Sequence, residues 1–165
     1  MFRILALDQA SKNTGWCLIN KDGVEGYGLI SVEGDTAPLL RLKNMFFKIY
    51  DLIKETNPSF VVFEGTQYQN NAGTFSVLSK LPGIIMAILF LKNIGFFIVE
   101  PTCWKAFCKI TGRRREEQKL NTKKFVADKY GLILSEDEAD AVGIATWAIN
   151  NILEDGNVKS KSHVS

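Results

Sequence analysis

The chain has 165 residues, the size of one compact domain, so a second full domain is not expected. Hydrophobic residues make up 46% of the chain and charged residues 23%, the balance of a soluble globular protein. This composition excludes a disordered, collagen-like or coiled-coil chain. We expect one domain over residues 1–155, followed by a polar, flexible tail over residues 156–165.

Neither a membrane span nor an export signal is expected. The longest apolar stretch is cut short by Lys92, whereas a spanning helix needs about 20 apolar residues. The first residues reach Asp8 after four apolar side chains, too few for a signal peptide. The three cysteines lack the spacing of a zinc knuckle, and His163 is the single histidine, so we expect reduced thiols and no zinc. Together these features predict a cytoplasmic protein without a small-molecule cofactor.

The formal net charge of +2 is unevenly distributed. Between Lys105 and Lys124, eight basic side chains occur with two acidic ones, a local net charge of +6 that leaves −4 for the rest of the chain. This basic segment predicts a surface that binds a polyanion such as nucleic acid, with a solvated loop and helix face as the alternative. Its bases are Lys105, Lys109, Arg113, Arg114, Arg115, Lys119, Lys123 and Lys124.

The elements alternate in a way that predicts an α/β fold. The predicted strands span residues 2–8, 16–20, 24–32, 60–63 and 96–100. The predicted helices span residues 38–56, 74–93, a short stretch from 101, 121–130 and 135–153. Turn residues separate the first three strands, which predicts an antiparallel meander that leads into parallel strands. We therefore expect a mixed five-stranded sheet with helices on both faces.

Four carboxylates stand at positions that predict a shared site. Asp8 ends the first strand and Glu64 follows the fourth, so both lie at one sheet edge if these strands are parallel neighbours. Asp137 and Asp140 are three residues apart and share a face of the last helix. Two simpler interpretations remain open: solvated strand ends for the first pair, and acids favoured by the helix N-terminus for the second.

Such a cluster has a chemical consequence. Crowded carboxylates repel one another, and one pKa must rise unless cations neutralise them. Oxygen ligands without histidine suit Mg²⁺, with Mn²⁺ as a substitute. Two such ions about 3.5–4 Å apart hydrolyse phosphodiesters. We therefore expect the four acids to hold two ions, and the basic segment to hold a nucleic-acid backbone.

Three motifs resemble those of RuvC-type Holliday junction resolvases. Leu-Ala-Leu-Asp at residues 5–8, followed by Ser11 and Asn-Thr-Gly-Trp at residues 13–16, resembles the opening of that family. Phe-Val-Val-Phe-Glu at residues 60–64 is similar to its fourth strand, which ends in a catalytic glutamate. Residues 137–145 resemble its C-terminal helix with two aspartates. The resemblance runs in order over about residues 2–150.

The resemblance implies an RNase H-like fold, a homodimer and Mg²⁺-dependent paired nicks across a four-way DNA junction. It also assigns Lys105 to a phosphate near the scissile bond, and a second catalytic-site lysine to Lys119 or Lys123. Tyr68 would stack on unpaired bases at the crossover, or be a surface-loop aromatic. The small size of the chain suggests a phage-encoded member.

Departures from the family pattern leave other functions open. Gly65 and Thr66 follow the glutamate where many members carry glutamine, and the arginine run at residues 113–115 is unusual, so a less selective branched-DNA nuclease fits too. An RNase H-type enzyme acting on RNA–DNA hybrids and a non-catalytic junction-binding protein are further alternatives. The helix over residues 74–93 is apolar all round in its second half, which predicts a dimer contact, or else burial within the monomer.

Overall fold

The computed structural model describes residues 1–32, 37–65, 79–152, 154–157 and 159. Tyr68, the first part of the helix predicted over residues 74–93 and most of the predicted tail lie outside the described residues. The division into one domain and a tail therefore stays a prediction. No helix in the described part of the chain is both long and apolar enough to cross a membrane.

A five-stranded mixed sheet forms the centre of the fold, as predicted. Its order is β3-β2-β1-β4-β5, in which β1 pairs antiparallel with β2 and parallel with β4. The strands are β1 (Ile4–Asp8), β2 (Asn13–Asn20), β3 (Gly23–Ser31), β4 (Phe60–Glu64) and β5 (Gly95–Val99). The condition for Asp8 and Glu64 to share a sheet edge is therefore met, because β1 and β4 are parallel neighbours in which Leu7 lies beside Phe63.

The second strand begins earlier than predicted. The sequence pattern places Asn13, Thr14 and Gly15 in a turn, but they pair with β3 as part of β2. The turn lies before them instead, where the Thr14 hydroxyl donates to the carbonyl oxygen of Ala10 at 3.0 Å and accepts from its N–H at 3.2 Å. This side chain closes the turn, so the strand can start immediately after it.

Five helices are found in the described part of the chain, and one of them corrects a prediction. They are α1 (Pro38–Thr56), α2 (Lys80–Lys92), α3 (Pro101–Phe107), α4 (Arg115–Tyr130) and α5 (Glu136–Asn151). Helix α4 starts six residues before the predicted residue 121, so part of the basic segment is helical. Its first turn holds Glu116 and Glu117, which the positive end of the helix dipole favours. The sequence analysis places the helix start too late, because a run of charged residues suits both a loop and an exposed helix.

The helices cover both faces of the sheet, as predicted. On one face, α5 packs on β1 and β2 in a core that includes Ile4, Ala6 and Trp104. On the other face, α1 and α2 cover Leu5 and Leu7. Alternate residues of β1 therefore belong to different cores, and all four of these strand residues are fully buried. A strand covered on both sides holds its terminal Asp8 in a fixed position at the sheet edge.

Candidate active site

The parallel pairing of β1 and β4 brings two acids to one edge of the sheet. Asp8 and Glu64 are the last residues of these strands, and the strands are in register up to Leu7 and Phe63. Both acids directly follow apolar residues that are fully buried. They are therefore anchored by strands that the core holds in place.

Helix α5 brings the other two acids to the same edge. Its N-terminus is fixed by a capping box, in which the Ser135 hydroxyl accepts the N–H of Glu138 and the Glu138 carboxylate accepts the N–H of Ser135 at 3.0 Å. Asp137 and Asp140 lie in the first turns of this helix, and Asp140 is only 6% exposed. Residues 139–148 are all buried, so the helix is enclosed on every side beyond its first turn, and Asp140 lies within this buried stretch.

A glycine in β2 allows this helix to come so close. Gly15 pairs with Asp8 across the sheet, and a Cβ at this position would lie 2.0 Å from the carbonyl oxygen of Asp137. Any side chain here would push the start of α5 away from the strand. The glycine of the Asn-Thr-Gly-Trp motif therefore has a physical role, because it lets two pairs of acids from separate elements meet.

The four acids line one cleft of about 460 Å³. Three residues of the basic segment, Lys105, Arg115 and Lys119, line it as well. The remaining described residues at its walls are Gln9, Ala10, Asn13, Gly65, Pro101, Gln118 and Thr122. The cleft therefore combines a cluster of negative charge with cations beside it.

Three of the four acids have raised pKa values, and burial is the main cause. The pKa of Asp8 is raised from its ordinary value of 3.8 to about 8, chiefly by burial and then by the charges of Asp140 and Glu64. Burial also raises the pKa of Glu64 and of Asp140. A group of acids with raised pKa values is a site that gains from an added cation.

Lys119 lies inside the cluster. Its Nζ donates to Asp140 Oδ2 at 2.5 Å and lies 3.7 Å from Asp137 Oδ1. Burial alone would lower the pKa of Lys119, but the nearby charge of Asp140 and its hydrogen bond outweigh burial and raise it. Of the two lysines that the resemblance left open, Lys119 lines the cleft, while Lys123 is not among the described residues that do so.

Lys105 reaches the cleft from the short helix α3. Its Nζ donates to Gln118 Oε1 at 3.1 Å and lies 5.4 Å from the centre of the Trp104 ring. The positive charge of Lys105 opposes the rise in the pKa of Glu64. Lys105 therefore lies beside the acids, and its contact with a phosphate stays a prediction.

The rest of the basic segment is divided between surfaces. Arg113 and Arg114 are exposed just before α4. Lys109 and Lys124 line a different cavity, of about 570 Å³, together with Phe125. The segment is therefore not one continuous wall of the acidic cleft, although the charge count alone suggests a single surface.

Two residues at the site are missed by the sequence analysis. The Trp104 indole donates to Glu64 Oε2 at 2.7 Å. The Gln9 amide bonds to the main chain of Glu64. The sequence offers one indication of their role: Gln9 directly follows Asp8, and Trp104 directly precedes Lys105. It is a weak one, because a polar loop residue and a core tryptophan each have a simpler explanation.

The described residues contain no ready-made metal centre. No group of three or more histidine, cysteine, aspartate or glutamate side chains among them is arranged to hold a metal ion as it stands. Cys17, Cys103 and Cys108 are free, and burial raises the pKa of the Cys108 thiol to about 12, while the expectation of reduced thiols stays a prediction. In the acid cluster, the ammonium group of Lys119 lies against Asp140.

Curated relatives share the sequence over most of their length. The chain is 28% identical over 146 residues to "Crossover junction endodeoxyribonuclease RuvC" of Rickettsia conorii, covering 86% of this chain and 93% of the relative. The protein of the same name from Methylobacterium radiotolerans is 25% identical over 147 residues, covering 87% of this chain and 70% of that one. No protein-family model matches the sequence.

Solved structures share the fold. RuvC of T. thermophilus in complex with a Holliday junction substrate superposes with a TM-score of 0.70 at 12% identity, covering 91% of this chain and 96% of that one. Fowlpox virus resolvase, in complex with Holliday junction DNA, has a TM-score of 0.56 at 16% identity, covering 90% and 97%. These structures confirm the predicted RNase H-like fold. In sequence the chain is similar to curated RuvC proteins, and in fold it is similar to solved Holliday junction resolvases, the family that its motifs resemble.

Proposed function

We propose that the chain is an endonuclease that resolves four-way DNA junctions, acting in recombination and repair. The observation that supports this most strongly is the cleft in which Asp8, Glu64, Asp137 and Asp140 meet beside basic side chains. The curated relatives are named crossover junction endodeoxyribonucleases, and two structural neighbours were solved with Holliday junctions. A pure DNA-binding protein gains nothing from four acids placed where phosphates would bind.

We further propose that these acids hold two Mg²⁺ ions, for which Mn²⁺ can substitute. The donor set fits, because it offers hard oxygen ligands, and burial raises the pKa of three of them, Asp8, Glu64 and Asp140, so that a bound cation would favour their charged forms. When bound, the ions supply an activated water and stabilise the leaving oxygen of the phosphodiester. Ions held by these acids would supply counter-charge to Asp140, which Lys119 supplies in this structure, and the Lys119 ammonium group would then be available to contact DNA.

The cations of the cleft have separate roles in this proposal. Lys105 and Lys119 contact the phosphate near the scissile bond, and Arg115 holds the backbone of the DNA beside it. Tyr68 stacking at the crossover stays a prediction, as do the phosphate contacts of the remaining bases. Those bases are Lys109, Arg113, Arg114, Lys123 and Lys124.

We propose that the chain acts as a homodimer, because paired nicks on opposed strands require two sites. Helix α2 buries Leu81, Ile85 and Leu89 in the core, yet it exposes 70% of Phe90 and 85% of Leu91. These exposed apolar side chains support a contact between two copies. Sedimentation should give a dimer that Leu91→Glu converts to a monomer, while a wild-type protein that stays monomeric at micromolar concentration would contradict the proposal.

We propose a cytoplasmic location, where the DNA substrate is found in a bacterium or an infected bacterial host. A phage origin stays a prediction.

The experiment is cleavage of an end-labelled four-way junction in Mg²⁺, compared with a linear duplex of the same sequence, a flap, a fork and an RNA–DNA hybrid. We expect symmetric nicks on opposed junction strands that disappear in EDTA. Cutting of the hybrid alone would assign the fold to an RNase H-type enzyme, and equal cutting of junctions, flaps and forks would indicate a less selective branched-DNA nuclease. Junction binding without cutting would leave a binding protein.

A further inference from the structure

Glu64 is held by two side chains that the proposed chemistry does not use. The first is Trp104, whose indole Nε1 donates to Glu64 Oε2 at 2.7 Å. Trp104 is fully buried, although it neighbours the cleft-lining Lys105 on the short helix α3. A buried core residue thus donates a hydrogen bond to the acid cluster. This bond lowers the pKa of Glu64, whereas burial raises it.

The ring of Trp104 has little freedom to turn away. Gly143 of α5 lies directly against it, and a Cβ at this glycine would come within 2.6 Å of the ring carbon Cζ3. Because Gly143 follows Asp140 by three residues on the same helix, the ring is packed by the element that supplies two of the acids. A fixed ring gives a fixed direction to its N–H.

Gln9 holds the main chain of the same residue. Its Nε2 donates to the carbonyl oxygen of Glu64, and its Oε1 accepts the N–H of Glu64 at 3.2 Å. The regular pairing of β1 and β4 ends at Leu7 and Phe63, so the amide of Gln9 prolongs the attachment of β4 to β1 by side-chain bonds. Main chain and carboxylate of Glu64 are therefore both restrained.

We propose that Trp104 and Gln9 are positioning residues that orient Glu64 to receive a metal ion. This inference rests on the proposed function. The Trp104 hydrogen bond engages Oε2 and leaves Oε1 for the cation. An indole is neutral, so it orients the carboxylate without competing for its charge, unlike the ammonium of Lys119 beside Asp140. Residues that hydrogen-bond a metal ligand typically contribute roughly 10–100-fold to metal affinity or activity.

The test compares Trp104→Phe with Trp147→Phe. Trp147 belongs to the same core, is 8% exposed, and stacks on Phe97 with ring centres 5.5 Å apart. Trp147→Phe is therefore a control that also replaces one buried indole by a phenyl ring. Mn²⁺ affinity is measured by calorimetry on the metal-free proteins, together with thermal unfolding and junction binding in EDTA. The Mg²⁺ concentration that gives half-maximal junction cleavage is measured as well.

We expect Trp104→Phe to bind Mn²⁺ about tenfold more weakly and to need correspondingly more Mg²⁺, with most of the rate restored at saturation. Trp147→Phe should match the wild type in both measurements, and junction binding in EDTA should be equal in all three. Gln9→Met, which keeps the length of the side chain, should shift the Mg²⁺ requirement in the same direction, so the inference stays testable if Trp104→Phe is unstable.

Wild-type metal affinity in Trp104→Phe, or an equal loss in Trp147→Phe, would overturn the inference. A rate loss that saturating Mg²⁺ does not restore would also overturn it, because that pattern indicates a packing defect. Failure of the proposed function looks different: the wild type would then cut no junction, or Glu64→Gln would cut as well as the wild type.

Discussion

At the scale of single residues, the acids destabilise the fold where they are buried, and the proposed metal binding would offset that cost. Asp8 is the clearest case, because burial raises its pKa to about 8, far above the ordinary value of 3.8. Its protonated form is therefore favoured in the folded state. The stability that this residue contributes is fully present below about pH 4 and is lost as the pH rises through about 8.

Replacing this acid should accordingly stabilise the metal-free protein. In EDTA at pH 8, Asp8→Asn is expected to be more stable than the wild type by about 2 kcal/mol, and the difference should shrink towards about pH 5 as the wild-type carboxyl takes up its proton. Urea unfolding at both pH values measures this, and saturating Mg²⁺ should stabilise the wild type more than the variant. A variant no more stable than the wild type at the higher pH would show that the buried Asp8 carboxylate does not destabilise the fold.

At the scale of elements, the site depends on how closely α5 approaches β2. Gly15→Ala places a methyl group 2.0 Å from the carbonyl oxygen of Asp137, so the helix start must move. We expect the free energy of unfolding to fall by about 2–3 kcal/mol, the usual cost of forcing extra volume into a packed contact, and a large loss of cleavage.

A control for this variant lies in the same sheet. Gly26 of β3 has room for a Cβ, whose nearest neighbour would be the Trp16 ring at 3.4 Å. Gly26→Ala should therefore change unfolding in urea and junction cleavage much less than Gly15→Ala. Equal stability of the two variants would mean that the close contact between β2 and α5 is not required.

The three arginines at and just before the start of helix α4 are expected to contribute to DNA affinity. Each arginine of Arg113, Arg114 and Arg115 that contacts a phosphate releases counterions on binding. Replacing all three by glutamine should weaken junction binding. It should also lower the slope of log affinity against log salt by about 1 for each phosphate that an arginine neutralises in the wild type. Titrations at several salt concentrations measure the slope.

Three exposed lysines of α1 provide the control for this slope. Lys43, Lys48 and Lys54 belong to the helix that covers the face of the sheet opposite to α5, and their replacement by glutamine removes the same charge. We expect the salt slope of this control to stay near that of the wild type. If the arginine variant keeps the wild-type slope, these arginines contact solvent and not DNA.

At the scale of the whole molecule, the mixed five-stranded sheet with helices on both faces was predictable from the sequence, and so were the four acids as candidates for one site. Continuous apolar runs that end in Asp8 and Glu64 indicate covered strands, and the helix that contains Asp137 and Asp140 begins with a recognisable capping box. Such signals are local in sequence, so they can be seen without a structure.

What sequence reasoning missed depends on contacts between distant residues. The bond from Trp104 to Glu64 joins residues 40 apart, and the contact of Gly15 with Asp137 depends on the packing of a helix on a strand. The early start of α4 was hidden because a run of charges suits both a loop and an exposed helix. Local composition does not distinguish these cases.

The most direct test of the account is to neutralise one acid and measure cutting and binding separately. Glu64→Gln should abolish cleavage of a four-way junction in Mg²⁺ while leaving junction affinity in EDTA at or above the wild-type value, because a metal ligand is lost but the basic surface remains. Glu136→Gln, an exposed acid at the start of the same helix as Asp137, removes the same charge and should cut normally. Wild-type cutting by Glu64→Gln would contradict the account.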